Sequence, residues 1–90
     1  MALNYRQLER LVRAFANHRR IQILELLKSE PELSLADIAE KLRINIKTAS
    51  VHLQRLAIAG LILKRNEGSN VRHKITDRAQ NILKFLRILE

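Results

Sequence analysis

Two apolar stripes at helical spacing, separated by only three residues, constrain the fold of this chain more than any other sequence feature. The first stripe lies in LADIAEKL, and the second lies in residues 46–58. At 100° per residue, Ala49, Leu53 and Leu56 fall on one side of the second segment, and Ile46 extends that side. We therefore expect a short helix, a tight turn and a second helix that buries this side.

Residues that begin and end helices lie at the expected places in this region. Ser34, with Asp37 three residues on, has the chemistry of a capping box, and Asn45 is placed to cap the second helix. Gly60 suits the left-handed residue that ends many helices. These boundaries predict a helix-turn-helix arrangement with its second helix at about residues 46–58.

The rest of the chain is predicted to be helical before this motif and to contain strands after it. ALNYRQLERLVRAFA and HRRIQILELLKS have helical spacing, Asn17 can cap the second of them, and Pro31 then breaks the helix. After Gly60, LILKR and VRHKI flank the turn cluster NEGSN, which indicates a β-hairpin, and Thr76 can cap a last helix. The expected fold is one domain over residues 1–90, mainly α with a small β-hairpin, in the order α-α-(short extended piece)-α-α-β-β-α.

The net charge of +8 is concentrated in one third of the chain. Residues 1–40 carry six basic and six acidic residues, whereas residues 41–75 carry eight basic residues and one acid, Glu67. This segregation favours a surface that faces a polyanion, because a charge that only maintains solubility has no need to be concentrated in one segment. A basic solvated face is the alternative.

The side of the second helix opposite its apolar stripe has the composition of a DNA-contacting surface. The side chains opposite or flanking that stripe are Lys47, Thr48, Ser50, Val51, Gln54, Arg55 and Ile58. In a major groove about 12 Å wide, hydroxyls reach phosphates or base edges, an amide pairs with adenine, and basic groups pair with guanine. Many surface helices have a similar mixture, so geometry alone leaves a simple amphipathic core helix as the alternative.

The segment LRINIKTASVHLQRLAIAGLI resembles the helix-turn-helix of ArsR-type winged-helix repressors, whose form is close to L-x-L/I-S-x-S-T-V-S-x-H-L-x-x-L-x-x-A-G-L-I/V. Upstream, FANHRRIQIL is similar to that family's A-D-P-x-R-x-x-I-L element, with Asn17 and His18 in place of Asp and Pro. Downstream, LILKRNEGSNVRHKIT is similar to its β-wing and the Thr that begins its last helix. The resemblance covers nearly the whole chain. It implies a winged helix-turn-helix fold and a homodimeric repressor that binds specific sequences of double-stranded DNA.

The resemblance also implies which residues contact DNA. In the recognition helix they are Asn45, as the cap, and Lys47, Thr48, Ser50, Val51, Gln54 and Arg55. In the wing they are Lys64, Arg65, Ser69, Asn70, Arg72 and Lys74. Ile46 departs from the family, which commonly has a polar residue there, so no base contact is assigned to it.

The metal sites known in this family are missing from the sequence. Relatives that sense thiophilic metals have cysteines in E-L-C-V-C-D, which here is ELSLAD, with Ser34 and Ala36 in the cysteine positions. Relatives that bind zinc use Asp and His pairs on the last helix, but DRAQNILKFLRILE has no histidine. His18, His52 and His73 are far apart in sequence, so we expect no metal and no cofactor.

Neither an enzyme nor a membrane protein is expected from the sequence. It has no cysteine, no Gly-rich phosphate loop, and no serine with a plausible His and Asp constellation. It also lacks the apolar run of a signal peptide or a membrane span. We therefore expect a cytoplasmic protein without a membrane contact.

The last helix predicts a contact between two copies of the chain. With Ile82 at 0°, its apolar residues span an arc of roughly 220°, whereas one core needs a stripe of about 100° or somewhat more. A helix end buried more deeply in one chain is the alternative. In the resembled family the first and last helices form the two-fold interface. The predicted interface residues are Leu3, Leu8, Ile82, Phe85, Leu86, Ile88 and Leu89.

Two other functions are compatible with the sequence. Ile46, Val51 and Ile58 weakly favour a winged helix that binds a protein partner. The basic charge is also compatible with a nonspecific chromatin-binding or RNA-binding protein. The sequence identifies no operator and no effector.

Overall fold

The computed structural model describes residues 2–90, and this part of the chain forms five helices and one two-stranded antiparallel sheet. The elements are α1 (Tyr5–Phe15), α2 (His18–Ser29), α3 (Leu35–Leu42), α4 (Ile46–Ile58), β1 (Ile62–Glu67), β2 (Asn70–Ile75) and α5 (Asp77–Ile88). Their order confirms the predicted fold, and α4 has the predicted bounds. No helix within residues 2–90 has the length and apolarity needed to cross a membrane.

Polar side chains begin each helix, and the predicted caps Asn17, Ser34, Asn45 and Thr76 are confirmed. Each accepts a hydrogen bond from a backbone N–H in the first turn, which would otherwise be unpaired. The first helix begins later than the sequence pattern suggested. Asn4 forms a capping box in which its side chain accepts from the N–H three residues on, and it therefore fixes the start of α1 at Tyr5.

The end of α4 is a left-handed turn at Gly60, as predicted from the sequence. Gly60 has a φ of +73°, its N–H donates to the carbonyl of Ala57 at 3.0 Å, and the N–H of Leu61 donates to that of Leu56 at 2.9 Å. This pair of bonds is the Schellman motif, which uses carbonyls that the helix cannot pair itself.

A junction of hydrogen bonds joins the end of α4 to the start of α5. The hydroxyl of Thr76 donates to the carbonyl of Gly60 at 2.7 Å, and the N–H of Thr76 donates to that of Leu61 at 3.1 Å. Arg78 Nη1 donates to the carbonyl of Ala59 at 3.1 Å. We call these three bonds the α4–α5 junction.

The hairpin is longer, and its turn tighter, than the sequence pattern suggested. The strands pair from Ile62 with Ile75 out to Glu67 with Asn70, so only two residues form the turn. Gly68, with a φ of +60°, adopts the left-handed backbone conformation that such a short turn requires. The predicted extended piece before α3 is also present, because Leu33 forms a bridge with His73 of β2.

One core of buried side chains joins α2, α3, α4, α5 and both strands. Its largest fully buried members are Ile23, Leu24, Leu27, Ile38, Leu53, Leu56, Leu61, Ile62 and Leu83. In contrast, α1 contributes no buried residue, although its Leu11, Ala14 and Phe15 pack partly against the core. This helix therefore has apolar surface that the chain itself does not cover.

Candidate nucleic-acid interface

The packing of α4 separates a buried side from an exposed side. Ala49, Leu53 and Leu56 are at most 2% exposed, as the helical spacing predicted. At the first turn, the Asn45 side chain accepts from the N–H groups of Lys47 at 2.8 Å and of the next residue at 3.4 Å. The helix is therefore fixed by its apolar side and by its cap, and the opposite side is left to solvent.

The exposed side of α4 carries the polar and basic residues that the sequence placed there. All six predicted contact residues within the helix are exposed: Lys47, Thr48, Ser50, Val51, Gln54 and Arg55. Val51 is 51% exposed. These side chains are therefore free to reach a ligand as large as a DNA duplex.

The prediction for Ile46 was wrong. It was expected to extend the buried side of α4, but it is 49% exposed. It is the first residue of the helix, and it lines an open cleft between α4 and the hairpin together with Ser50 and Lys64. At the end of a helix, the angular position of a residue does not ensure that a neighbouring element covers it.

We call this cleft, of about 670 Å³, the wing cleft. Residues paired across the two strands share a face of the sheet, so the face with the buried residues Ile62 and His73 also carries Lys64, Asn66 and Val71. The turn residue Ser69 and the first residue of β2, Asn70, line the same cleft. None of its lining residues is acidic, and Lys64 supplies its one basic side chain.

The other face of the hairpin pairs its arginines within the chain. Arg65 and Arg72 lie opposite each other in the register, and both donate hydrogen bonds to Glu32. Arg65 Nε donates to the Glu32 carboxylate at 3.1 Å, Arg65 Nη2 lies 3.0 Å from Glu67 Oε2, and Arg72 Nη1 donates to the Glu32 carbonyl at 3.2 Å. The bond from Arg65 holds the pKa of the Glu32 carboxyl below its usual value and raises the pKa of Arg65 itself.

Glu32 was not singled out by the sequence analysis, because 33 residues separate it from Arg65. Its bonds divide the basic residues of the predicted wing contacts into bonded arginines and unbonded lysines. Arg65 and the half-buried Arg72 are already bonded, whereas Lys64 and Lys74 are exposed and form no ion pair within residues 2–90. The two lysines are therefore the most available positive charges of the wing.

A second residue missed by the sequence analysis, Arg20, holds α4 against the first two helices. Its Nε donates to His52 Nδ1 at 3.0 Å and its Nη1 donates to the carbonyl of Ala14 at 3.2 Å. Because Nδ1 of His52 accepts, this ring is neutral, and burial together with the Arg20 charge lowers its pKa. No local pattern marks this link, since 32 residues separate its partners.

The predicted interface residues divide between the core and the surface. Ile82 was expected at an interface, but it is a core residue with 9% exposure, because it lies on the side of α5 that packs against the rest of the chain. Leu86 is half-buried against the same core, and Leu3 is half-buried as well. Four predicted residues are exposed, by 42–78%: Leu8, Phe85, Ile88 and Leu89. Tyr5 and Val12 of α1 are exposed too, by 91% and 52%.

Within residues 2–90, no group of three or more His, Asp or Glu side chains is placed to hold a metal ion. His73 is buried, and its Nδ1 lies 2.9 Å from the carbonyl of Leu33. A carbonyl oxygen only accepts, so Nδ1 carries the hydrogen, and burial lowers the pKa of the ring. The structure thus gives His52 and His73 roles in packing and hydrogen bonding.

The chain is similar to known transcriptional regulators. A family model described as winged helix-turn-helix DNA-binding matches residues 17–62, from the cap of α2 to the start of β1. The uncharacterized HTH-type transcriptional regulator MJ1325 of Methanocaldococcus jannaschii is 30% identical over 83 residues, which are 91% of this chain and 93% of that protein. The HTH-type transcriptional regulator Rv0324 of Mycobacterium tuberculosis is 41% identical over 69 residues. That match spans 77% of this chain but only 30% of the relative's length.

A solved structure extends the similarity to nearly the whole chain. The Mycobacterium bovis domain Mb0332, described as a homodimeric winged helix-turn-helix DNA-binding domain and a possible ArsR-family regulator, has a TM-score of 0.84 at 31% identity. The match covers 99% of this chain and 89% of that domain. With its buried and exposed sides of α4, its basic hairpin and these relatives, the chain belongs to the winged helix-turn-helix DNA-binding family of transcriptional regulators.

Proposed function

We propose that the chain is a homodimeric repressor that binds specific double-stranded DNA through α4 in the major groove. In this proposal the hairpin contacts the backbone or the minor groove beside it. The exposed side of α4 carries the proposal. It combines Lys47, Ser50 and Gln54 on a helix whose opposite side is fixed in the core.

These side chains have the chemistry that base recognition needs. The Gln54 amide can pair with adenine, Lys47 with guanine or a phosphate, and the Val51 methyl groups with a thymine methyl. The first turn also places the positive end of the helix dipole on this side, which favours a nearby phosphate. Because α4 does not have to fold on binding, the side chains start from nearly fixed positions, and less conformational entropy is lost.

The wing adds charge rather than sequence information in this proposal. Lys64, on the face towards α4, and Lys74 are the proposed phosphate contacts, since neither has a carboxylate partner within residues 2–90. Arg65 and Arg72 would have to exchange their bonds to Glu32 for bonds to phosphate. Ser69 and Asn70, at the exposed tip, are proposed to reach the backbone or minor groove.

Dimerisation is supported by apolar surface on the first and last helices. α1 has no buried residue, although Leu8 and Val12 lie on the apolar side of an amphipathic helix. On α5 the arc of apolar residues divides into a core side and an exposed side with Phe85, Ile88 and Leu89. Exposed apolar area of this kind marks a contact surface. A two-fold pair would place two α4 helices on successive major-groove faces, about 34 Å apart.

We propose repression because a dimer that occupies promoter DNA competes with polymerase without any further activity. In a purified transcription assay, increasing amounts of the protein should reduce transcript from a promoter that contains its binding site. The same promoter with a scrambled site serves as the control. An increase of transcript would contradict repression while leaving DNA binding intact.

Selection of bound sequences from random duplex DNA tests the function directly. We expect a palindromic consensus with half-sites one helical turn apart, 10–10.5 base pairs from centre to centre on average for such dimers. At about 0.15 M salt, selected duplex should bind at least about 10³ times more tightly than random duplex. Equal affinity for all duplexes would indicate a nonspecific binder instead.

A glutamine pair separates base contact from general surface effects. Gln54→Ala should lose about 1–3 kcal/mol of affinity for selected DNA and relax the consensus at one position, with little change for random DNA. Gln80→Ala removes the same amide from the exposed surface of α5 and should change neither. Equal losses in the two variants would contradict a base contact at Gln54.

A lysine pair tests the phosphate contact of the wing. Lys64→Gln should weaken all duplexes similarly and reduce the salt dependence of the logarithm of the binding constant by about one. Lys28→Gln, at the exposed end of α2, carries the same change of charge and should keep the slope. An unchanged slope in the Lys64 variant would place this residue outside the interface.

Binding to a protein partner is the second candidate, favoured by the exposed apolar residues of α4. Ile46, Val51 and Ile58 are exposed by 49%, 51% and 75%. A protein-interaction module would bind one partner in a defined stoichiometry and show no affinity for duplex DNA. The selection from random duplex DNA therefore distinguishes the two functions, because such a module would retain no duplex.

A further inference from the structure

A second basic surface lies at the other end of α4 from the wing cleft. Five arginines from four helices line a groove of about 690 Å³, which we call the arginine groove. They are Arg10 and Arg13 of α1, Arg20 of α2, Arg55 of α4 and Arg78 of α5. None of the lining residues is acidic, and the volume lies in the range of small-molecule sites.

Two of these arginines are held in place by neutral acceptors. Arg20 donates to His52 Nδ1 and to the carbonyl of Ala14, and Arg78 donates to the carbonyl of Ala59. Neutral acceptors fix the guanidinium groups without cancelling their charge. A guanidinium has five N–H donors, so both groups retain donors for a ligand, and little side-chain entropy is left to lose.

The other arginines of the groove are weakly paired or unpaired. Arg13 forms an exposed ion pair with Glu9 at 2.9 Å, which contributes little in water. Arg10 and Arg55 form no ion pair and no side-chain hydrogen bond within residues 2–90. Four of the five positive charges therefore have no carboxylate partner in the described part of the chain.

Two arginines outside the groove have carboxylate partners. Arg65 contacts Glu32 and Glu67, and Arg87 contacts Glu25 at 2.8 Å and Glu90 at 2.7 Å. Concentrating unpaired like charges in one groove costs folding free energy, and a bound anion would remove that cost. This concentration of five arginines, without an acidic residue in the lining, points to an anionic ligand for the arginine groove.

The groove also has apolar walls. Leu3 and Leu11 of the N-terminal region and Ile58 of α4 line it together with the arginines. The backbone of a DNA duplex presents phosphates on a convex surface and has no apolar group that would fill the space between these walls. We propose that the arginine groove binds a small organic anion, with a carboxylate or phosphate group on an apolar body.

The position of the groove would couple this ligand to DNA binding. It joins α1, which has uncovered apolar residues, to the C-terminal end of α4 and the start of α5. An anion there would bridge Arg10 of α1 and Arg55 of α4. This coupling rests on the proposed function, whereas binding of the anion does not.

Phenyl phosphate is a suitable probe, with inorganic phosphate and phenol as comparisons. Titration of the ¹⁵N-labelled protein without DNA, followed by amide chemical shifts, should move signals of α1, the end of α4 and Arg78. Phenyl phosphate should bind more tightly than inorganic phosphate, because only the former uses the apolar walls. Phenol should not bind.

The double variant Arg10→Gln and Arg55→Gln should weaken the affinity for phenyl phosphate by about tenfold or more. The matched control, Arg6→Gln with Lys28→Gln, removes two exposed positive charges outside the groove and should bind within about twofold of the unchanged protein. Because Arg10 and Arg55 have no side-chain partners to lose within residues 2–90, circular dichroism should show a folded variant with an undiminished Tm.

Three outcomes would overturn the proposal: equal losses in the two double variants, shifts confined to the wing cleft, or equal affinity for phenyl phosphate and inorganic phosphate. The last outcome would assign the groove to the DNA backbone. Since the titration contains no DNA, its failure would leave the proposed regulator function untouched. Likewise, failure of DNA binding would leave the anion site standing.

Discussion

The helices α4 and α5 bury similar amounts of apolar side chain but differ in what they leave exposed. Each has three buried residues, which in α4 include Leu53 and in α5 include Leu83. The uncovered side of α4 is mostly polar and basic, whereas that of α5 includes Phe85, Ile88 and Leu89. The core thus explains one side of each helix, and the other side faces the proposed partner, which is base edges and phosphates for α4 and a second apolar surface for α5.

The largest expected effect comes from placing a charge on the exposed apolar side of α5. Phe85→Glu should convert the proposed dimer to a monomer and weaken the affinity for specific DNA by about 10²–10⁴-fold, because one half-site then binds without the avidity of the other. Sedimentation equilibrium and mobility shifts measure the two effects. The chain should remain folded by circular dichroism, since Phe85 is 53% exposed.

The control for this variant lies on the opposite side of the same helix. Gln80→Glu introduces the same charge at an exposed position away from the apolar arc. It should leave both the dimer and DNA affinity unchanged. A dimeric Phe85→Glu variant would show that α5 is not the contact surface.

The next effect distinguishes the two sides of α4. Leu53→Ala should cost about 2–5 kcal/mol of the free energy of unfolding, because it leaves a cavity in the core. Val51→Ala, on the exposed side, should change that free energy by less than about 0.5 kcal/mol and should instead weaken selected DNA. Urea unfolding measures the free energy of unfolding of both variants. Similar costs for the two variants would contradict the division of this helix.

A smaller effect separates the end of α4 from the tip of the hairpin. Gly60→Ala should cost about 1–2 kcal/mol for its left-handed backbone, and in addition its Cβ would lie 3.3 Å from Arg78 Nη1. Gly68→Ala has a similar φ but nothing within 4 Å, so only the backbone cost applies. Urea unfolding should rank Gly60→Ala as the more destabilised, and the reverse order would contradict a tight contact there.

The smallest effect concerns pH. Burial lowers the pKa of His52 and His73 from 6.5, with Arg20, His18 and Arg19 adding to the effect at His52 and Lys64 at His73. Between 6.5 and the lowered pKa the unfolded chain binds more protons, so stability is full above about pH 7 and falls as the pH decreases through this window. Glu32 and Asp37 do not titrate there, because hydrogen bonds hold their pKa values below 4.5 and 3.8.

Urea unfolding at about pH 7.5 and 5.5 checks this sign, and NMR titration of the two rings checks its origin. His52→Gln should reduce the difference between the two pH values, because one of the two depressed groups is then absent. Equal free energies of unfolding in the unchanged protein at both pH values would contradict the neutral, buried state of these rings.

Local chemistry made much of the fold predictable from the sequence. The caps Ser34, Asn45 and Thr76 and the left-handed Gly60 each act on neighbouring residues, and the alternation after Gly60 marks the hairpin. The exposed side of α4 was predictable for the same reason, since helical spacing alone separates Leu53 from Gln54.

The features that sequence reasoning missed depend on residues far apart in the chain. The angular arc of α5 did not show that Ile82 would face the core and Phe85 the solvent, because that depends on where the other helices pack. The bonds of Arg20 to His52 and of Glu32 to Arg65 span more than 30 residues, beyond any helical or strand period.

The α4–α5 junction has a geometric consequence for the proposed dimer. Thr76 and Arg78 bond the start of α5 to the C-terminal end of α4. The two helices are therefore expected to move together, because no flexible hinge separates these ends. In a pair of chains joined through α5, the distance between the two α4 helices would therefore be fixed. Such a protein would gauge the length of DNA between its half-sites, and one inserted base pair would move the second site out of its reach.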